Sequence, residues 1–401
     1  MIKRMPVPLW ILLIFLIFFP CLSLGAADFG LVLDTSAGYG GQGSDKGFDF
    51  SGSLIPRFST FLGDNGELYV SAGVKADYPP ETWTLTPELL RTDVSFRFGN
   101  KEITAGRMHY ADPLGIIADG LFDGALFSLH TGLGDFSVGT WYTGLIEKKR
   151  ANITMTGEEL QSYYTELDYS DFYNTYFAPR RLVSALGWEH PGLWEIVRTR
   201  VSLLAQFDLS GDTSLHSQYL AAQLSLPVWV FAVNLGGCLE LIENPDETSV
   251  ALMGELGLGW KSPAPFEDQL SLEGRFSSGV VEDSTITAFL PLSTVQQGDV
   301  LKAKISGLSV IALNYLARLH RSFSVGVSSS YFVRSDLGTL SNFGEEGYFV
   351  GNEFFGRLFW SPVSDVQVVL GGGVFLPSMG NVDPQADAPW RVELSLILAL
   401  Y

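Results

Sequence analysis

Apolar and polar residues alternate along most of the chain with a period of two. In one segment Leu68, Val70 and Val74 fall on one face, while Glu67 and Lys75 fall on the other. A β-strand sends successive side chains to opposite faces, whereas a helix repeats its apolar residues every three to four positions. The pattern therefore predicts strands that separate an apolar environment from a polar one, and the fold class is all-β.

The alternating runs are too long for an ordinary soluble sheet. Soluble strands have about five or six residues, whereas a tilted strand needs about nine to eleven to cross a membrane. The polar face also carries charge in mid-strand, as at Arg198 and Arg200. Apolar residues toward lipid and polar residues toward a lumen explain both features. We therefore predict a single antiparallel transmembrane β-barrel over residues 28–401.

The segmentation gives about eighteen strands, within a range of sixteen to eighteen, and closed single-chain barrels use an even number. The predicted strands lie near residues 29–39, 48–59, 67–77, 88–98, 101–109, 121–131, 136–146, 181–189, 193–207, 214–226, 229–241, 248–260, 267–279, 302–317, 321–334, 347–360, 365–376 and 390–401.

The connections between these strands alternate in length. Those after odd-numbered strands tend to be long, with 147–180 and 280–301 as the extremes, whereas those after even-numbered strands are mostly tight, as at Gly99-Asn100. Long loops at one end and short turns at the other are typical of bacterial outer-membrane barrels. The alternation predicts that both termini lie in the periplasm.

Aromatic residues lie near many of the predicted strand ends. Such residues suit the membrane interface, where the apolar ring contacts lipid and the polar tip contacts headgroups and water. The alternative is the general enrichment of aromatic residues in strands of any kind. The residues concerned are Trp141, Tyr142, Trp188, Trp194, Trp229, Trp260, Phe359, Trp360 and Trp390.

The N-terminus has the pattern of a secretory signal peptide. Lys3 and Arg4 precede an apolar run over 7–19, and small residues lead up to a predicted cleavage after Ala27. The apolar run is too short for a spanning helix. An uncleaved anchor and a lipoprotein modified at Cys21 remain as alternatives. Cleavage predicts export to the cell outer membrane.

Composition and charge narrow the function further. The chain is 46% hydrophobic with a formal net charge of −19, and loss of Lys3 and Arg4 makes it −21. Such an acidic chain is not expected to bind nucleic acid. The mature chain keeps only Cys238, so no intramolecular disulfide forms. The scattered histidines and the absence of catalytic motifs predict no metal, no cofactor and no enzyme activity.

Several short segments carry a family resemblance. They are the terminal strand from Trp390 to Tyr401, Gly106-Arg107 with Asp112-Pro113, Asp123-Gly124, and Gly351-Asn352-Glu353 before Trp360-Ser361-Pro362. With them the mature chain resembles Gram-negative outer-membrane porins and substrate-specific channels, and is weakly similar to eighteen-stranded channels of the alginate-export type. The resemblance implies a terminal strand that the barrel-assembly machinery reads. Tyr401 departs from the usual pattern, because it lies on the face opposite to Leu400 and Leu398.

The polar faces of the predicted strands supply candidate pore-lining residues. Rings of like charge set the selectivity of a pore through the field that they impose on a permeating ion. A basic track for anionic or saccharide-like solutes is one hypothesis, and pairing across strands that only stiffens the wall is the other. The candidates are Lys75, Arg91, Arg97, Arg198, Arg200, Arg275, Lys302, Lys304, Arg334, Arg357, Asp93, Glu273 and Glu353.

These observations predict a passive outer-membrane channel for small hydrophilic solutes, surrounded by outer-membrane lipids. A barrel with a filled lumen that acts as a surface adhesin or structural protein is one alternative. A transporter of hydrophobic compounds of the fatty-acid type is another, although inward charges disfavour it. Loop 147–180 is expected either to fold into the lumen or to form a mobile external loop, and a homo-oligomer is left open.

Overall fold

The computed structural model describes residues 27–78, 82–193, 195–211, 214–245, 247–263, 267–279, 281–282, 285–340, 344 and 346–400. Nearly all of the predicted signal peptide, together with Trp194 and Tyr401, lies outside these ranges. Among the described residues, no helix is long and apolar enough to cross a membrane.

Eighteen antiparallel strands form one closed sheet, so the predicted fold and strand count are confirmed. Each strand pairs with its neighbours in sequence, and the first pairs with the last in a register that places Leu31 opposite Leu400. The strands are β1 (Ala27–Gln42), β2 (Asp45–Leu62), β3 (Gly66–Tyr78), β4 (Thr84–Phe98), β5 (Lys101–Ala111), β6 (Asp119–Thr131), β7 (Gly134–Tyr142), β8 (Arg181–Leu193), β9 (Val197–Asp208), β10 (His216–Val228), β11 (Phe231–Glu243), β12 (Thr248–Lys261), β13 (Gln269–Ser277), β14 (Leu308–His320), β15 (Phe323–Arg334), β16 (Phe349–Val363), β17 (Val366–Leu376) and β18 (Trp390–Leu400).

Short turns follow the even-numbered strands at one end of the barrel, as at 99–100 and 364–365. The long connections 143–180 and 278–307 lie at the other end, the loop end, although the first connection there is only residues 43–44. The free ends of β1 and β18 lie at the short-turn end, because their outermost register pair is Leu31–Leu400.

The two faces of the wall differ as the alternation predicts. On the outer face, Leu239 and Leu252 are 45% and 51% exposed. Their sequence neighbours Cys238 and Met253 face the lumen and are 4% exposed. None of the described residues forms a second layer over these outer leucines, which is the arrangement that a lipid-facing surface requires.

Aromatic rings form a belt at each end of the outer face. At the loop end the ring centroids of Tyr39 and Trp390 lie 5.4 Å apart, and those of Tyr78 and Trp83 lie 5.1 Å apart. At the short-turn end Phe96 stacks on Phe98 at 6.2 Å. These belts mark the two interfaces between which the apolar outer surface lies.

One predicted strand is wrong at its start. The expected strand 302–317 begins only at Leu308, and Lys302 and Lys304 belong to the preceding loop. There Lys302 has a φ of +48°, which no regular strand accommodates, and residues 303–304 pair with 296–297 in a two-residue ladder of their own. Alternating residues alone do not reveal that local pairing.

Three loop-end segments fold into the barrel. Residues 112–118, 143–180 and 288–305 contribute buried apolar side chains to a single cluster with lumen-facing wall residues. From the loops come residues such as Ile117, Ile146 and Phe289, and from the wall come Val183 and Ala251, all of them fully buried. The lumen beside β6 to β12 is therefore packed rather than water-filled at this level.

The first of these segments is the tip of the β5–β6 hairpin, whose upper part leaves the wall. Its last pairs with β4 and β7 are Thr92–Arg107 and Asp123–Tyr142. Just below the point of departure Gly106, with a φ of +123°, stands opposite Gly124. Glycine is required at position 106, because a Cβ there would lie 2.2 Å from the Thr92 carbonyl oxygen.

Candidate functional site: the lumen and its inserted loops

The long loop between β7 and β8 folds into the barrel, which decides between the two alternatives for this segment. It contains the short helices α1 (Lys148–Ala151), α2 (Gly157–Tyr164) and α3 (Phe172–Tyr176). Thr156 and Glu159 form a reciprocal capping box at the start of α2. Burial raises the pKa of the Glu147 carboxyl and lowers the pKa of the Lys148 ammonium at the base of the loop.

Arg181 fastens this loop to the wall. Its guanidinium is fully buried and donates to Glu159 Oε1 at 2.6 and 2.9 Å, to the Leu215 carbonyl at 3.0 Å, and to Gln206. Asp208 Oδ2 lies 3.4 Å from the same group. A buried cation with several acceptors and two carboxylates is stable only while all its partners are present. Helix α2 is thus held against β8 and β9.

Glu353 fastens the inserted 278–307 loop, and Arg334 fastens the neighbouring loop between β15 and β16. Both Glu353 oxygens accept backbone N–H groups, from Asp299 at 2.6 Å, Val300 at 3.0 Å and Leu301 at 2.9 Å. The Arg334 guanidinium, 1% exposed, donates to the carbonyls of 344 and 347. Both side chains point to the interior, as their strand faces predict, but their contacts are to protein backbone.

Asp112 organises the hairpin tip. Its carboxylate accepts the backbone N–H groups of residues 114, 116, 117 and 118 at 2.8 to 3.0 Å. Burial raises the pKa of this carboxyl, although those four donors oppose the shift. The tip in turn accepts a hydrogen bond from the Ser293 backbone N–H at the Ile117 carbonyl. The hairpin tip and the 278–307 loop therefore form one plug.

We expect Glu353→Gln to loosen residues 296–304, because an amide replaces one acceptor oxygen with a donor that faces backbone N–H groups. The loss should be about 1–2 kcal/mol, the usual cost of an unmatched buried donor. The measurement is the rate of tryptic cleavage after Lys302 in the folded barrel. Glu273→Gln is the matched control, since within the part of the chain that the structure describes Glu273 accepts hydrogen bonds from the side chains of Ser271 and Asn314 and from no backbone N–H group. Equal cleavage rates in the two variants would contradict the anchoring role.

A continuous polar track crosses the lumen wall from β9 to β13. The Arg200 guanidinium donates to the Gln223 side-chain oxygen, and the Gln223 amide donates to Glu255 at 3.2 Å. Arg275 lies 3.5 Å from Glu255 and donates to Gln297 of the inserted loop at 2.8 Å. These five side chains line a cavity of about 540 Å³. The track joins the wall to the loop that narrows the lumen.

Most of the other predicted basic residues lie beside an acid. The pairs are Lys75–Asp77 at 3.1 Å, Arg91–Asp93 at 2.5 Å, Arg97–Glu102 at 2.8 Å, Arg198–Glu189 at 2.5 Å, and Arg357–Asp299. Arg200 differs, because its hydrogen-bond partner is a neutral amide. Lys304 donates to the Thr154 carbonyl at 3.2 Å, within the inserted loops and not on the wall.

Three further arginines that matter in the lumen are not among the residues predicted to line it. Arg391 pairs with Asp49 at 2.8 Å, and its guanidinium lies where a Cβ on Gly38 would be. The Arg57 side chain likewise fills the space that a Cβ on Gly30 would need. Both stand on the polar face of predicted strands, so the signal was present. Arg181 lies at a predicted strand start, but its partner Glu159 is on a loop whose position no local pattern reveals.

No model of a known protein family matches the chain. No curated protein matches its sequence either.

Solved structures do match the whole barrel. OccK2 (OpdF) of Pseudomonas aeruginosa, determined with glucuronate, aligns with a TM-score of 0.65 and 13% identity over 94% of this chain and 98% of its own. The outer-membrane protein OpdK of the same organism gives 0.63 and 12% over 94% and 99%. OccAB1 of Acinetobacter baumannii gives 0.61 and 10% over 94% and 97%. This chain has the fold of those proteins.

Proposed function

We propose that the protein is a passive channel of the outer membrane for small hydrophilic solutes, with small carboxylates as the preferred class. The observation that carries this proposal is the track from Arg200 to Gln297 along the narrowed lumen. A positively charged group whose partner is neutral keeps its field, and a permeating anion can exchange with that partner. The neighbouring amide and carboxylate offer acceptors and donors to hydroxyl groups on the same solute.

The solved relatives support the choice of solute class. OccK2 was determined with glucuronate and OpdK with vanillate, both of which carry a carboxylate and at least one hydroxyl group. The ion pairs along the rest of the wall support a second role for charge, namely stiffening of the wall by pairing across strands. An ion that is already paired contributes little net field to the lumen. Selectivity is accordingly proposed to rest mainly on Arg200, whose partner is a neutral amide, and less on Arg275, which lies beside Glu255.

The cellular setting is part of the same proposal. Residues 1–27 are the export signal, the barrel-assembly machinery reads the terminal strand β18, and outer-membrane lipids surround the wall. The short-turn end with both termini faces the periplasm. The inserted loops argue against a surface adhesin, because their apolar residues pack in the lumen cluster and do not form a protruding structure.

The test is single-channel conductance of refolded protein in planar bilayers, with the reversal potential measured in a salt gradient. We expect discrete steps with a preference for anions, and Arg200→Gln should shift the reversal potential toward cations. Arg198→Gln is the matched control, because Arg198 is already paired with Glu189 and half exposed. A folded protein without steps would refute the channel, and equal shifts in both variants would refute the role of Arg200.

A further inference from the structure

The wall of the barrel is incomplete at one place near the loop end. Above the pairs Thr92–Arg107 and Asp123–Tyr142, the β5–β6 hairpin no longer fills the space between β4 and β7. Strand β4 nevertheless continues to Thr84 and pairs with β3 along that length. Among the described residues, no strand lies against one edge of β4 over residues 84–91, and we call this stretch the gap.

Side chains, not a neighbouring strand, satisfy the open edge of β4. The Tyr169 hydroxyl donates to the Leu85 carbonyl, and the Tyr176 hydroxyl donates to the Pro87 carbonyl at 2.6 Å. The Arg107 guanidinium donates to the Leu89 carbonyl at 2.6 Å. These three carbonyls belong to alternate residues, which are the ones that a neighbouring strand would bind.

Pro87 fits an edge that never receives a strand. In an extended strand the N–H and C=O of one residue point to the same side, so the nitrogen of Pro87 also faces the gap. Proline has no N–H to leave unsatisfied there, which is why it is confined to edges and bulges in sheets. The sequence of β4 is therefore built for an open edge.

The gap lies at membrane depth. Trp83 and Tyr78 belong to the aromatic belt at the loop end, and the residues just below Trp83 on the same face are Leu85 and Leu89. These two leucines are 41% and 45% exposed. Irregular backbone at such a depth is tolerated only where protein or a water-filled cavity lies behind it. Behind this gap lies the part of the lumen that the inserted loop 143–180 fills.

The gap is closed by an aromatic segment of the inserted loop, residues 169–177, which we call the seal. Phe172 stacks on Tyr176 with centroids 4.4 Å apart, and Tyr169 stacks on Phe172 at 6.2 Å. On the lumen side Arg150 pairs with Glu88 at 2.6 Å. A route through the seal would thus run from apolar wall residues past aromatic rings to a charged pair.

We propose that the gap is a lateral passage between the lumen and the outer leaflet for amphipathic carboxylates, and that the seal is its door. The inference rests on the proposed function, because it requires a lumen that solutes enter. The apolar or aromatic part of such a solute would pack against the rings of the seal, and its carboxylate would pair with the Arg150 guanidinium. Two tyrosine hydroxyls hold the seal against β4, whereas elsewhere in the wall a full ladder joins neighbouring strands. The seal can therefore move away from β4 without breaking any pairing among the eighteen strands, and its own β-bridge, between Phe177 and Glu147, lies within the loop.

The test uses a coumarin side chain placed genetically at position 75, which faces the lumen on β3, in refolded protein in liposomes. Doxyl stearate in the membrane is the amphipathic quencher, and aqueous iodide reports the path through the lumen mouth. In a Cys238→Ala background, Leu85→Cys with Tyr169→Cys allows a short bis-maleimide to fasten the seal to β4. Leu54→Cys with Val74→Cys, directly paired across the intact β2–β3 ladder, is the matched control.

We expect doxyl stearate to quench a small, measurable fraction of the coumarin fluorescence before cross-linking and several-fold less after it. Iodide quenching should stay unchanged, and cross-linking of the control pair should have no effect. Tyr169→Phe with Tyr176→Phe should raise doxyl stearate quenching by roughly tenfold, because two hydrogen bonds are removed from the closed state. The lateral passage is overturned if doxyl stearate does not quench the coumarin at all, or if it quenches the cross-linked and uncross-linked proteins equally. Loss of iodide quenching alone would instead count against the proposed channel.

Discussion

Arg181→Met is expected to release the inserted loop 143–180 from the wall and to destabilise the folded loop by about 3–5 kcal/mol, the usual cost of removing one partner from a buried ion cluster. Glu159 and Asp208 would remain buried with no cation between them, and the start of α2 would lose its attachment to β8 and β9. The strand ladders do not depend on this side chain, so the barrel itself should still assemble.

Two measurements check this expectation. Limited trypsin digestion of the folded barrel should cut after Lys148, Lys149 or Arg150 much faster than in the parent protein, and single-channel steps should become larger. Arg198→Met is the matched control, because its ion pair with Glu189 is exposed and is worth at most about 1 kcal/mol. Unchanged protection of the loop in Arg181→Met would show that apolar packing alone holds it.

Gly106→Val is expected to destabilise the barrel by about 3 kcal/mol, since it combines a strained positive φ with a steric clash. The new Cβ would lie 2.2 Å from the Thr92 carbonyl oxygen and 2.9 Å from the Asp93 Cα, both of them backbone atoms that cannot turn aside. The hairpin leaves the wall directly above this residue. We therefore expect residues 112–118 to lose their place in the plug as well.

The loss of stability is measured as a lower urea concentration at the midpoint of unfolding. Unfolding is monitored on gels, where the folded barrel and the heat-unfolded chain migrate differently. Gly254→Val is the matched control, because an added Cβ at that β12 position meets no heavy atom within 4 Å. A midpoint in Gly106→Val as high as that of Gly254→Val would mean that the backbone at 106 relaxes without cost, and that the hairpin does not need a glycine at its base.

The barrel could be predicted because its information is local. Alternation such as Leu252, Met253 and Gly254 along β12 reports which face meets lipid, and each strand needs only its neighbours in sequence to form the ladder. The error at 302–317 is instructive in the same way. Lys302 and Lys304 have the spacing of a strand, but Lys304 pairs with Gln296 inside the loop and Lys302 has a positive φ.

The lumen residues also divide into those that strand parity predicts and those whose contacts depend on the loops. Arg200 and Arg275 were placed in the lumen by strand parity, and parity would also have found Arg57 and Arg391. That Arg334 and Glu353 bind loop backbone could not be predicted, because the loops they hold carry no periodic signal.

The sequence by itself determined the barrel and, within a range of sixteen to eighteen, its number of strands, because a period of two and lengths suited to a bilayer leave few other folds. Only the tertiary structure decided how the lumen is used. The inserted loops, the Arg181 cluster, the departure of the β5–β6 hairpin and the gap beside β4 depend on contacts between distant segments, such as Tyr176 with Pro87. Their energies come from burial and from hydrogen bonds across space, and no local pattern encodes them.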